Sequence, residues 1–209
     1  MTMQVNIGGV YKNVTDVCVN IGGVWKCGCY VYSNIGGVWK DGSPSYGNYY
    51  ELLSDITVGT ATTSVDITSL ALAKTDEILL VSDIVNTSAS TSNYLMYFNN
   101  NTTATNYYYQ SFTANSTTRT ATRINSALML DAAASAKSLV ISKIKLTNNG
   151  YIVAQHESAE NYGSGIILGS YYPFSKFTAT SISQVTITAS VADAIGVGSR
   201  FQLYRMGGA

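Results

Sequence analysis

From about Tyr46 to the C-terminus, apolar and polar residues alternate with a period of two. Val185, Ile187 and Ala189 fall on one side while Thr186 and Thr188 take the other. Val65 and Ile67 oppose Ser64 and Asp66, and Phe201 and Leu203 oppose Gln202 and Tyr204. Successive side chains of an extended chain point to opposite faces, so this pattern predicts strands with one buried face. Further strands are predicted over 48–58, 77–85, 93–99, 104–113, 122–130, 138–146, 150–156 and 165–171, separated by clusters of Asn, Gly, Ser and Thr that favour turns. Short strands in this number, two prolines and no 3.6-residue apolar stripe predict an all-β fold, a jelly-roll-like β-sandwich over 46–209. The stretch "LDAAASAKS", residues 130–138, is open to a second reading as a short helical turn.

Residues 1–42 follow a different rule. The phrase NIGGV(Y/W)K occurs three times, its asparagines Asn6, Asn20 and Asn34 spaced by 14, and the Gly-Gly pairs and the lysines Lys12, Lys26 and Lys40 keep the same interval. Fourteen residues hold two strands of about five residues and two tight turns, too few for a repeat containing a helix. Gly-Gly between apolar residues is the signature of a two-residue hairpin loop, because both positions of a type I′ turn need positive φ. Counting outward from Gly22 and Gly23, Ile21 faces Val24, Asn20 faces Trp25, Val19 faces Lys26 and Cys18 faces Cys27. One side then carries Ile and Val, and the other sets Asn beside Tyr11, Trp25 or Trp39.

Both sides of such a ribbon gain from being covered, and an isolated two-stranded hairpin is marginal in water. The economical cover is further copies of the same chain, three hairpin stacks closing about an axis, which also hides the strand edges. Multimerisation is therefore assigned to Ile7, Ile21, Ile35, Tyr11, Trp25 and Trp39. The alternative cover is the following domain or a host structure. Gly42-Ser43-Pro44-Ser45 has the composition of a hinge between the two parts.

Charge narrows the partners. Only 11% of residues are charged, against about 25% in an ordinary soluble chain, and 12 basic residues balance 12 acidic ones. Solubility then rests on Ser, Thr and Asn, and no basic patch is available for a run of phosphates, so nucleic acid is not an expected partner. No run of about 18 apolar residues predicts a membrane span, and the start "MTMQVNIGGV" has no signal-peptide pattern, which predicts synthesis in the cytoplasm.

The supply of catalytic groups is poor. His156 is the one histidine, read as a solvent-facing strand residue with Glu157 on the opposite side. No Gly-x-Ser-x-Gly, His-Glu-x-x-His, Walker lysine loop or paired cysteines for zinc occurs, and no cofactor or metal is implied. Glycoside hydrolysis needs two facing carboxyl groups about 5 to 9.5 Å apart, whereas Asp76 and Glu77 are neighbours whose side chains diverge on a strand. "IGVGSR", residues 195–200, misses the dinucleotide spacing and reads as a tight turn. The chain is not expected to be an enzyme. Aromatic rings are the richer supply, with 16 tyrosines. In "NYYYQSF", residues 106–112, alternation places Tyr107 and Tyr109 on one face and Tyr108 with Phe112 on the other. Tyr107 and Tyr109 are taken as the set that presents rings to a sugar or protein ligand.

The three NIGGV(Y/W)K phrases resemble the IGGVWK-type repeats of tail, fibre and other virion structural proteins of tailed bacteriophages. "ADAIGVGSRFQLYRM", from Ala192 to Met206, is similar to the C-terminal strand of β-sandwich domains in such proteins. The repeats cover about a fifth of the chain; it is short for a complete tail fibre and lacks a long triple-stranded shaft. The resemblance implies a homotrimeric virion part, anchored to other virion proteins at one end and exposing a sandwich to the host surface, with glycan as a candidate ligand. A capsid decoration or head-fibre protein that cements the shell is the alternative, and a surface-glycan hydrolase the third.

The register of the second repeat sets Cys18 opposite Cys27, where a cross-strand bridge is geometrically allowed, and leaves Cys29 over. Cytoplasmic synthesis favours three reduced thiols, and Cys27-Gly-Cys29 lacks the spacing of a zinc site. Intact mass under non-reducing conditions is expected to show no loss of two hydrogens; such a loss would establish the bridge.

Overall fold

The computed structural model describes residues 4–7, 10–13, 18–21, 24–27, 32–35, 38–41, 50–115, 118–162 and 165–206. The chain forms two compact units, Met1–Gly47 and Asn48–Ala209. The first holds three antiparallel strand pairs: β1 (Gln4–Ile7) with β2 (Val10–Asn13), β3 (Cys18–Ile21) with β4 (Val24–Cys27), and β5 (Tyr32–Ile35) with β6 (Val38–Asp41). Their backbone registers set Asn6 opposite Tyr11, Asn20 opposite Trp25, Cys18 opposite Cys27 and Asn34 opposite Trp39. The Gly-Gly links, Cys29, the 42–45 hinge and the side chains of Ile7, Tyr11, Ile21, Trp25, Ile35 and Trp39 lie outside the described residues.

The second unit is all-β and sandwich-like. Its strands are β7 (Tyr50–Thr57), β8 (Ser64–Ile67), β9 (Glu77–Val85), β10 (Ser92–Phe98), β11 (Tyr107–Asn115), β12 (Thr118–Ile124), β13 (Leu128–Ala132), β14 (Lys137–Leu146), β15 (Tyr151–Tyr162), β16 (Gly165–Thr178), β17 (Val185–Ala189) and β18 (Arg200–Met206). They make an eight-stranded sheet in the order β12-β11-β16-β15-β14-β9-β18-β7 and a four-stranded sheet in the order β13-β10-β17-β8, antiparallel throughout.

The period-two pattern decides what these sheets bury. Ile78, Leu80 and Ile84 of β9, Val140 and Ile144 of β14, and Phe201 and Leu203 of β18 meet Val65, Ile67, Tyr94, Met96, Phe98, Val185 and Ile187 of the smaller sheet in one continuous apolar core. Tyr94 keeps its polar end satisfied there by donating to the Ala194 carbonyl at 2.8 Å. Asn86, also buried, ties the 86–90 turn to the end of β13: its Nδ2 donates to Ala133 O at 2.7 Å and its Oδ1 accepts from the Ser88 N–H at 3.0 Å.

Three sequence expectations change. The strand predicted over 122–130 is two, because the chain leaves the large sheet after Ile124 and enters the small one at Leu128. "LDAAASAKS" makes no helical turn; β13 ends at Ala132, the backbone reverses with Ser135 at φ 58°, and β14 begins at Lys137. The strand predicted over 165–171 continues to Thr178 through Pro173, although proline cannot donate to a ladder. The β15–β16 pairing passes over it from His156↔Tyr171 to Val153↔Phe174, and its register shifts between Tyr151 and Val153. The "IGVGSR" glycines are structural: Gly198 takes φ +87°, and a Cβ on Gly196 would overlap Thr87 and the Val85 carbonyl.

Phe201, with none of its surface exposed, sits within this core. Phe201→Ala is expected to remove about 3–5 kcal/mol of folding stability, read as a lowered midpoint in urea unfolding; a loss below about 1 kcal/mol would contradict its place there.

Candidate functional site

Tyr107 and Tyr109, the rings expected to meet a ligand, face inward. Tyr107 is 1% exposed and Tyr109 6% exposed. Tyr107 packs edge-on against Tyr97 and Phe177, with ring centroids at 5.6 and 5.5 Å. Its hydroxyl accepts from the Phe98 N–H at 3.0 Å and donates to the Asn101 carbonyl at 2.9 Å. Burial pushes its pKa up to about 12. Tyr107 thus holds the loop between β10 and β11, and Tyr109 packs with Leu128 and Tyr171 in a small second cluster. The alternation was read correctly, but its phase assigns solvent to Tyr108 and Phe112.

The outer face of the eight-stranded sheet therefore carries the candidate site. At one end Tyr108 of β11 stands opposite Phe174 of β16, and Gln110 opposite Tyr172. Tyr108, Tyr172 and Phe174 are exposed. Tyr151 lies against Phe174 with centroids 5.1 Å apart. The Lys176 ammonium sits 3.9 Å from the centre of the Tyr108 ring and is anchored by the Thr105 carbonyl at 2.7 Å and Asn125 Oδ1 at 3.0 Å. This end offers flat rings, hydroxyls, a side-chain amide and one cation.

Further along the same strands the face becomes apolar. Small residues, Ala159, Gly169 and Ser170, floor a groove of about 600 Å³, with Leu139 and Ile141 on one side and Phe112 on the other. One acid enters it. Glu157 accepts from Ser170 Oγ at 2.7 Å and from Gln155 Nε2 at 3.0 Å. Elsewhere, Lys74, Asn99, Asn101, Asn149 and Thr180 help to line a polar concavity of about 570 Å³.

His156 is not a solvent-facing residue. It is fully buried because the inward phase of β15 runs Ile152, Ala154, His156, Ser158, Glu160. Its Nδ1 lies 2.8 Å from Ser142 Oγ on the neighbouring strand, and its Nε2 has no partner among the described residues. Loss of hydration drives its pKa down to about 3. Glu157 faces outward, so the two do not form one acid-base pair.

Sequence spacing also gave no hint of an electrostatic coupling between Asp131 of β13 and Glu160 of β15. Burial raises both carboxyls, and the Asp131 charge raises Glu160 further. Glu160 is 2% exposed, and its Oε1 accepts the Ala133 N–H at 2.6 Å. Asp76 precedes β9 rather than lying in it, its Oδ2 accepting the Ala73 N–H at 2.7 Å. Among the described residues no cluster of three metal-ligating side chains occurs, and no helix is long and apolar enough to cross a membrane. Comparison with protein-family models, curated proteins and solved structures finds no match.

His156 links stability to acid. An unfolded histidine takes up its proton below about pH 6.5, whereas the folded one resists until about 3. Between these values the unfolded state binds more protons, so stability falls as pH falls, by up to about tenfold in the folding constant per pH unit. The raised carboxyls of Asp131 and Glu160 act with the opposite sign and are present in both proteins compared. His156→Gln is expected to flatten the loss of stability from pH 6.5 to 4.5 in urea titrations; an unchanged slope would show that His156 is not the group responsible.

Proposed function

We propose that this chain is a structural protein of a tailed-phage virion, a tail fibre or receptor-binding protein that attaches the particle to the bacterial surface. In this reading it is made in the host cytoplasm and assembled as a homotrimer. The hairpin repeats join copies to one another and to other virion proteins, and the second unit meets the host. That unit is read as a jelly-roll-like sandwich, a kind suggested by the repeated passage of the chain between the two sheets from β7 to β11.

One observation carries the attachment role: the exposed row of Tyr108, Tyr172 and Phe174 beside Gln110. Flat rings stack on the apolar faces of sugars while amides and hydroxyls bond their edges, so a surface glycan is the ligand this row suits. The role first given to Tyr107 and Tyr109 passes to these residues. The charge-poor Ser, Thr and Asn surface supports a part that stays soluble without strong charge. No catalysis is assigned, since the carboxyl pair of Asp131 and Glu160 includes a group closed off from solvent and spent on a backbone N–H.

The apolar groove favours a second reading, a capsid decoration or head-fibre protein in which this face makes permanent contacts and no receptor is bound. Adsorption separates the two. Excess soluble protein is expected to slow attachment of the phage that encodes it, and Tyr108→Ala with Phe174→Ala to abolish that competition while leaving folding intact. No competition by the wild-type protein would reject the receptor-binding role and leave the cement role.

A further inference from the structure

We infer that the apolar groove on the outer face of the eight-stranded sheet is filled by a second copy of this chain, the same faces of neighbouring subunits converging about the assembly axis. This deepens the homotrimer reading but rests on the second unit, not on the hairpin repeats.

The groove combines a solvent-exposed position with the composition of a core. In it Leu168 is 55% exposed, Phe112 53% and Leu139 45%, and Ile166, two residues before Leu168 on β16 and just outside the groove, is 65% exposed. They are contiguous. Cross-strand registers align Ala114, Leu168, Ala159 and Leu139 in one row and Ala121, Phe112, Ser170, Glu157 and Ile141 in the next. A continuous apolar patch of this kind marks a surface that is covered in the working protein.

Size and charge favour a copy of the chain as the cover. Five strands spaced about 4.8 Å apart give a width of about 24 Å, and the five residues from Ile166 to Ser170 about 17 Å of length, a footprint near 400 Å² that stops short of the Tyr172 row, before side-chain relief is added. Side-chain relief brings this toward the roughly 600 Å² of accessible surface per partner at which specific interfaces begin. Formal net charge is zero, so copies approach without repulsion. The groove holds a single carboxylate, Glu157, while its β12 wall carries Arg119, and Arg123 lies beyond the groove on the same outward phase, opposite Gln110. A neighbour meeting this face brings its own arginines toward Glu157.

The contact is face to face rather than edge to edge. β12 ends the sheet and is exposed along its whole length, but its two arginines oppose the addition of another strand.

The test uses the full chain. Light scattering is expected to give an oligomer for the wild type, and Leu139→Lys and Leu168→Glu to weaken assembly by about a hundredfold or more, the effect of an unpaired charge in an apolar contact. Both side chains are exposed in the single chain, so unfolding midpoints measured at dilutions where all proteins are monomeric stay at the wild-type value. Leu52→Lys, exposed on the far strand β7, leaves assembly unchanged. Glu157→Arg weakens it, and adding Arg119→Glu and Arg123→Glu restores it. A photocrosslinker at position 112 joins two copies in the wild type and fails in Leu168→Glu. Assembly that survives both groove charges, with no crosslink from position 112, overturns this inference and leaves hairpin-driven assembly standing. A monomeric wild type overturns both.

Discussion

A four-stranded sheet can cover only one face of an eight-stranded one, and that inequality governs the second unit. The two-residue period sorts each strand's side chains onto opposite sides. On the inner side of β9, β14 and β18, Leu80, Val140, Phe201 and their neighbours find a partner sheet. On the outer side no layer is supplied by the described residues of this unit itself. There Phe112, Leu139 and Leu168 stand in water beside Tyr108, Tyr172 and Phe174. The core stabilises the unit, and the uncovered side is available for recognition and assembly.

The inner face is not uniformly apolar. Along β15 it passes from Ile152 and Ala154 to His156, Ser158 and Glu160. Three contacts are made there: Ser142 Oγ with the imidazole Nδ1, the Gly169 carbonyl with Ser158 and the Ala133 N–H with Glu160, while the imidazole Nε2 has no partner among the described residues. An unmet hydrogen bond costs more in a core than a met one gains, so these pairs fix how β13, β14 and β16 lie against β15. Tyr107 does the same for the loop after β10, where a hydroxyl inside the core bonds two backbone groups of an otherwise exposed segment.

The alternation that revealed the strands also limited what could be read from them. The predicted strand over 77–85 is observed as Glu77–Val85, where Ile78, Leu80 and Ile84 hold one phase with only Ser82 between them. Over 107–112 each phase holds two aromatic rings and one polar residue, so Tyr107 and Tyr109 could not be told from Tyr108 and Phe112 by pattern. Which set faces water depends on the pairing of β11 with β16 and on the small sheet beneath. His156 was placed in solvent because polar residues usually are; its burial follows from strand parity combined with a partner from β14. Pro173 concealed the second half of β16, since its missing N–H normally ends a ladder, and the pairing with β15 passes over it.

By itself the sequence determined an all-β chain with a repeated Gly-Gly phrase at one end, few charges and no local catalytic motif, because periodicity, turn chemistry and composition are local properties. The tertiary structure decided which phase of each strand is buried, that Glu160 meets the Ala133 N–H and His156 meets Ser142, and that apolar residues of β11, β14 and β16 merge into one groove. Those outcomes depend on strand order and register between segments far apart in the chain. No spacing within a segment encodes which strand will lie beside it.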